Sequence, residues 1–453
     1  MSMDEMNRLA HDVRALEEQL ALCTRCGMCQ AYCPLYAKTR QESDVSRGKL
    51  ALVGGLIDRV FDDTKGVKER LDRCLLCGSC AHKCPSSVDT IGIMLKTRAI
   101  IAAFSGLPFA KQLIFKGLLA NPKIFNQLTA MAAPFQTLAF RKEKNFQGTS
   151  CVRIASPLLR HRHLVPLAKT PFGNQGRNMD FRKKGRGVTV AFFVGCLVDK
   201  TFPQIAHALV EVLAHFKVNI LIPKDQGCCG IPALASGDTQ SFERLLAFHV
   251  ELFSREPVDY LVTACATCSS TIIRQWPALL QGKKGPGQRE LLEKAMVLAE
   301  KTVDISWLLA KRFDLLAPFK ERPGPEQIVT CHDPCHLRKT LGIFEEPRQV
   351  IQACGHTLKE MGSPDQCCGM GGSFNLEYYD LSSQIGEEKA LDIMATGCTT
   401  VAASCPACMM QISDMLARQN ARIRVKHPIQ IYADHLKAVS RENRAWDLLS
   451  RLP

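Results

Sequence analysis

Apolar positions along this chain follow two kinds of pattern, and the change between them falls near residue 188. Before it the spacing is helical. Leu9, Val13, Leu16 and Leu20 recur at three- and four-residue intervals and predict a helix within residues 1–22. A second helical stretch runs from Gly48 to Val60, and residues 101–140 read as amphipathic helix broken at Pro108, Pro122 and Pro134. Residues 141–187 hold glycine, proline and basic residues and predict irregular backbone. Beyond them, short β-branched and aromatic runs alternate with helical stretches. Strands are expected at Val188–Val194, Val218–Ile222 and Tyr260–Thr263, with helices over Ile205–Phe216 and Phe242–Phe253. The pattern then recurs: strands at Ile328–Thr330 and Thr400–Ala403, helices around Pro347–Cys354 and over Leu381–Thr396. Such alternation implies mostly parallel sheets, whose ligands lie in loops beyond the strand ends.

The cysteines repeat with the same period. Cys196, Cys228-Cys229-Gly230 and Cys265-x-x-Cys268 are followed by Cys335, Cys367-Cys368-Gly369 and Cys405-x-x-Cys408. The offset is 139 for the first three cysteines (335−196, 367−228, 368−229) and 140 for the last two (405−265, 408−268). Five thiols held in register twice imply that each repeat binds something, and metal is the natural choice. Five thiolates exceed the four that one tetrahedral zinc accepts. An iron–sulfur centre in each repeat, zinc in one repeat with a cysteine spare, and reactive thiols without metal are the three readings. Gly195, Gly227 and the glycine after each cysteine pair allow backbone to approach the bound object closely. The second repeat adds Cys331, His332, Asp333 and His336 around Cys335. Register selects Cys335 as the ligand, and the two histidines read as hydrogen-bonded structural residues, with sulfur contact or proton transfer as the alternative. Cys151, Cys354 and Cys398 fit neither pattern and read as buried thiols.

The N-terminal region carries a different signature. Cys23-x2-Cys26-x2-Cys29-x3-Cys33-Pro34 and Cys74-x2-Cys77-x2-Cys80-x3-Cys84-Pro85 are both the bacterial two-cluster ferredoxin run. In that run the fourth cysteine reaches the other cluster. Cys23, Cys26, Cys29 and Cys84 are therefore expected to hold one [4Fe-4S] cluster, and Cys74, Cys77, Cys80 and Cys33 the other. Two zinc sites would not need the x3-Cys-Pro step. The residues between the runs require helices to separate them. The expected architecture is α+β and multidomain: a helical dicluster ferredoxin-type domain (1–104), a helical then basic linker (105–187), and two cysteine-rich α/β modules (188–325 and 326–453).

Composition sharpens this picture. A chain of 453 residues with 46% hydrophobic and 23% charged residues can bury several cores, so its 22 cysteines are not needed as disulfide staples. Residues 1–18 contain acids and no apolar core, unlike a signal peptide, and a reducing cytoplasm is the expected setting. No run of about 18 apolar residues predicts a spanning helix. The nearest candidate, Ile124–Phe140, includes Asn126, Gln127, Pro134 and Gln136 and reads as a packed or interfacial helical pair. Net charge is +14, and residues 141–186 hold 12 basic and 2 acidic residues, 12−2 = +10. That segment suits a solvated linker, an anionic membrane surface on the inner face of the cytoplasmic membrane, or an acidic partner. Its lack of interleaved aromatics argues against nucleic acid.

Taken with Cys23–Pro34, Leu71–Pro85, Gly227–Gly230, His332–Cys335 and Gln366–Gly369, the chain resembles the cysteine-rich CCG family. Its members include the iron–sulfur subunit of glycolate oxidase and the related lactate-utilisation and heterodisulfide reductase-like proteins. The resemblance implies an electron-transfer subunit of an oxidoreductase. In the glycolate and lactate branch, a separate FAD-containing dehydrogenase oxidises a 2-hydroxy acid, and electrons pass on toward a quinone or other membrane acceptor. In the heterodisulfide branch, the five cysteines of a module hold a non-cubane cluster that cleaves a disulfide. The intact pairs Cys265/Cys268 and Cys405/Cys408 lean toward the second branch. No G-x-G-x-x-G follows a strand, and Gly369-Met-Gly-Gly372 reads as the loop of its cysteine pair, so flavin chemistry is expected on a partner.

Overall fold

The computed structural model describes residues 13–136, 140–142, 150–152, 162–175, 179–180, 187–283, 285–319 and 326–449. Its packing divides into two units. One comprises Met1–Asn121 with two segments from the repeats, Gly230–Leu245 and Gln366–Glu388. The other comprises Pro122–Cys229, Leu246–Asp365 and Lys389–Pro453.

The first unit is helical at its N-terminal part, as the spacing predicts. Residues 13–21 are helical, and the helices Ser46–Ile57, Thr64–Asp72 and Thr90–Ser105 follow. Asp63 and Asp89 begin the last two by accepting from Gly66 N (2.8 Å) and Gly92 N (3.0 Å). Each carboxylate satisfies an N–H that has no partner within its helix. Leu16, Leu50, Val53, Val67, Leu71, Ile93 and Met94 form the core between these helices.

The second unit holds two parallel sheets with one strand order. In the first, Thr189–Phe193 lies between Asn219–Ile222 and Tyr260–Thr263, and Thr302–Asp304 follows outside Tyr260–Thr263. In the second, Ile328–His332 lies between Thr357–Leu358 and Thr400–Ala403, with Arg424–Lys426 outside. Both are therefore 2-1-3-4 in their own strand numbering, and the first gains an antiparallel edge strand, Met179–Asp180. Val190, Phe192, Ile220, Leu261 and Val262 are completely buried, as expected for a parallel sheet with helices on its faces. The helix Pro203–His215 covers this sheet with Ile205, Leu209 and Val212 at helical spacing.

The fourth strand of each sheet has no counterpart in the sequence reading. Thr302–Asp304 and Arg424–Lys426 are only three residues long, too short for an alternating pattern. The linker also departs from expectation. Its described residues include antiparallel strands Phe140–Lys142, Ser150–Val152 and His163–Leu164, which lack the usual apolar signal. Among the described residues no single helix is long and apolar enough to cross a membrane.

Candidate metal centres

In the first unit, the eight ferredoxin-type cysteines separate into two fours. Cys33, Cys74, Cys77 and Cys80 line one small cavity; Cys23, Cys26, Cys29 and Cys84 line another, which Cys80 also touches. Local backbone creates both. Arg25 and Gly27 in one run, and Leu76 and Gly78 in the other, have positive φ (56°, 85°, 54° and 70°). These left-handed residues curl each Cys-x-x-Cys segment into a tight loop whose amides converge, the geometry of an anion-holding nest. Short helices, Met28–Tyr32 and Ser79–His82, start directly after the glycines. Pro34 then opens the helix Pro34–Thr39, and Cys33 caps it, its sulfur accepting from Tyr36 N at 3.5 Å.

Two cations are built in beside these loops. Lys49, 2% exposed, shares the cavity of Cys33 and Cys74, donates to Ser43 O (3.1 Å) and lies 3.6 Å from Asp44. Burial lowers the Lys49 pKa and pushes Cys33 up to about 12. Both shifts describe a dry site where thiolates need a compensating cation. Arg98 donates to Cys74 O (2.9 Å) and to Ala235 O (2.7 Å), in the segment that follows the first repeat's cysteine pair. The corresponding segment of the second repeat also meets this loop: a Cβ at Gly371 would lie 3.0 Å from Leu75 Cδ2. The sequence shows Lys49 and Arg98 only as helical cations, so their roles there were not legible.

In the second unit, the first repeat gathers its five sulfurs into one cluster. Cys228 makes hydrogen-bond contact with Cys196 and Cys229, Cys268 with Cys229 and Cys265. Hydrogen bonding among the sulfurs, then burial, holds Cys228 and Cys268 well above the ordinary thiol range. The loops that carry Cys196 and Cys265 leave the ends of neighbouring parallel strands, paired Phe193 to Thr263. The strand order reverses between these two strands, which is where doubly wound sheets bind ligands. Gly195 (φ 73°) is required, because a Cβ on it would sit 3.0 Å from the Cys268 sulfur. Gln226 braces the cysteine pair, accepting from Val194 N (2.9 Å) and donating to Phe192 O (3.0 Å). His249 Nε2 accepts from Gly227 N (3.0 Å), and Trp276 Nε1 donates to Cys229 O (3.1 Å).

The second repeat's cysteines are divided. Cys335, Cys405 and Cys408 lie in the second unit, while Cys367 and Cys368 fall in the first, both buried, with Gly369 N donating to Cys367 Sγ at 3.5 Å. Cys405 contacts Cys408 within its own repeat and Cys265 of the other. Thr267 bridges the repeats too, 3.4 Å from Cys405 Sγ and 3.2 Å from His336 Nδ1. His336 is thus a hydrogen-bonded residue, as expected, but His332 is not. It is 1% exposed, neither ring nitrogen has a hydrogen-bond partner, and a nitrogen lies within 4.8 Å of the Cys408 sulfur. A buried imidazole with two idle nitrogens is costly unless something else engages it. Asp333 beside it is occupied by Arg338 and by Arg348 (2.7 Å). Cys331 and Cys354 are buried thiols with raised pKa values caused by burial, and Cys398 behaves alike. The Cys151 side chain lies outside the described residues.

The donor sets fit iron–sulfur centres: the cysteines that line the two small cavities of the first unit and the five of the first repeat supply sulfur, with no disulfide among the described cysteines. Family comparison agrees. Residues 19–88 match the 4Fe-4S dicluster domain, and residues 190–273 and 329–413 each match the cysteine-rich domain called CCG. The chain is an iron–sulfur electron-transfer subunit of the class that joins one dicluster domain to two CCG domains. Its relatives include a probable glycolate oxidase iron-sulfur subunit of Bacillus subtilis (strain 168), 27% identical over 93% of this chain and 96% of the relative. A fumarate reductase (CoM/CoB) chain of Methanothermobacter marburgensis is 28% identical over 78% of this chain and 59% of the relative. Lactate utilization protein A 2 of Bacillus cereus (strain AH820) is 29% identical over 54% of this chain and 98% of the relative.

Proposed function

We propose that this chain relays electrons from a flavin-containing 2-hydroxy-acid dehydrogenase, acting on glycolate or lactate, to a quinone or other membrane acceptor. The observation that carries the reading is the contact between Cys265 and Cys405, which joins the sulfur groups of the two repeats. A chain built for separate structural sites has no need to bring them together. Cys23, Cys26, Cys29 and Cys84 hold one [4Fe-4S] cluster; Cys74, Cys77, Cys80 and Cys33 hold the other. Cys196, Cys228, Cys229, Cys265 and Cys268 hold a further centre, and Cys335, Cys367, Cys368, Cys405 and Cys408 a fourth. When bound, these centres supply one-electron carriers. The protein supplies the dry cavities, Lys49 and Arg98 as fixed positive charge, and His332 as a nitrogen donor to the second repeat's centre. Flavin is on the partner, and the names of two relatives, a probable glycolate oxidase iron-sulfur subunit and a lactate utilization protein, support glycolate or lactate as the source of electrons.

The test is anaerobic co-purification followed by reduction. A flavoprotein that elutes with this chain and reduces its visible chromophore on addition of glycolate or lactate supports the relay. In the Cys26→Ser variant one cubane is expected to be lost and electron delivery to stop, with the repeats still folded. Unchanged delivery overturns the assignment. A second reading, heterodisulfide reduction at a repeat, is favoured by the two intact Cys-x-x-Cys pairs and predicts disulfide reduction without any flavoprotein.

A further inference from the structure

One cavity in the second unit reaches the first repeat's sulfur cluster at Cys196, the one cysteine among its lining residues. It encloses about 560 Å³, within the range of small-molecule sites. One wall carries Gly195 and Cys196, the only cysteine of the first repeat that is not fully buried. Lys123, Phe125 and Met131 from the helix Pro122–Ala132 also line it. The outer face of that helix and its extension is apolar and open: Ile124, Leu128, Met131 and Phe135 are 45%, 49%, 66% and 68% exposed. Their spacing of four, three and four residues makes one continuous stripe, and Met131 belongs both to the stripe and to the cavity. From Thr90 to Lys142 the sequence contains no acidic residue, while Lys96, Arg98, Lys111, Lys116, Lys123, Arg141 and Lys142 are basic. An apolar stripe whose only charges are positive suits the surface of an anionic bilayer.

We propose that this cavity admits the ring of a lipid-soluble quinone that arrives along the apolar stripe from the membrane surface. This rests on the relay reading and names where its acceptor binds. The size and chemistry match: an aromatic and a thioether for the flat ring, Lys123 and Lys224 to offer positive charge to its carbonyl oxygens beside Asp225, and Cys196 among the lining residues. Asp199, also at the wall, is occupied, accepting from Gly173 N (2.7 Å) and pairing with Lys200 (2.6 Å). The overall reaction balances. Oxidation of a 2-hydroxy acid to the 2-oxo acid on the partner releases two electrons and two protons. The quinone takes two electrons through this chain and two protons from water to become the quinol.

Binding is tested directly by photolabelling the full-length protein with an azidoquinone on phosphatidylglycerol vesicles and mapping the labelled peptides. Label is expected in peptides containing Pro122–Ala132, displaced by unlabelled quinone. The cavity-filling variants Ala130→Trp and Gln127→Trp should each lower labelling, and quinone-driven reoxidation of the reduced protein, by about tenfold or more. Reoxidation by ferricyanide and iron content should not change. The Leu128→Glu/Met131→Glu variant should lose binding to phosphatidylglycerol vesicles. Label elsewhere, or full labelling in both tryptophan variants, overturns the cavity assignment; if quinone still reoxidises them at the normal rate, the relay survives. Wild-type protein that ferricyanide reoxidises and quinone neither labels nor reoxidises overturns the acceptor itself, and with it the cavity assignment.

Discussion

The two repeats share a strand order and a cysteine register, yet they differ at the residue that ends the first strand. At an offset of 139, Phe193 of the first repeat corresponds to His332 of the second. Phe193 packs against His249, Phe253 and Trp276, with ring centroids 5.2, 5.6 and 6.1 Å away, and makes an apolar floor under its sulfurs. His332 occupies the same register as a buried imidazole with two unengaged nitrogens beside Cys408. The two repeats thus share a scaffold and differ in the chemistry at the strand end. The first repeat has an open cavity at Cys196, and the second has an added donor and the Asp333–Arg348 ion pair.

Substitutions at this position should break the comparison most strongly. Phe193→Ala should cost about 3–5 kcal/mol in chemical denaturation, because it opens the aromatic cluster. His332→Ala should leave folding of the chain nearly unchanged but weaken metal retention in the second repeat by about 10–100-fold, read as iron released to a chelator. Equal metal retention in wild type and His332→Ala would remove the donor role. Lys49→Met should make the reduction potential of the Cys33/Cys74/Cys77/Cys80 centre more negative by about 1–2 kcal/mol per electron, at an effective dielectric constant near 20. A redox titration that shows no shift would mean that Asp44 already neutralises this lysine.

A smaller effect concerns the ends of the fourth strands. Asp304 accepts from Ser306 N (2.8 Å) to start the helix Ile305–Arg312, and His427 Nδ1 accepts from Ile429 N (3.2 Å) in the same place in the second repeat. Complete burial pushes the Asp304 pKa up to about 7 from 3.8, partly offset by its hydrogen bonds to Ser306. The folded protein therefore keeps a proton that the unfolded chain has lost. Stability from this group is full below about pH 4 and falls as pH rises toward 7, by at most about 1.4 kcal/mol per pH unit. Asp304→Asn should flatten that slope in denaturation curves collected across the window, and an unaltered slope would assign it to another group.

Much of this organisation was legible in the sequence because cysteine spacing is a strict code. The two x2-x2-x3-Pro runs mark the loops that line the two small cavities, and the 139-residue register anticipated two sheets of one topology. Charged residues were less legible. Lys49 and Arg98 look like ordinary helical cations until folding buries them beside Cys33 and Cys74. His332 and His336 were alike in sequence, four residues apart, and only packing separates the one held by Thr267 from the one left idle. Nor could the contact between Cys265 and Cys405 be read from spacing, since it depends on how two strand-end loops face each other.

The proposed relay requires all four sulfur groups to hold redox centres. Iron, zinc and acid-labile sulfide should be measured on anaerobically purified protein, with low-temperature electron paramagnetic resonance on the same sample. About 16 iron per chain, no zinc, and signals beyond those of two interacting cubanes are expected. About 8 iron together with zinc would contradict it and leave a dicluster wire on two structural zinc sites.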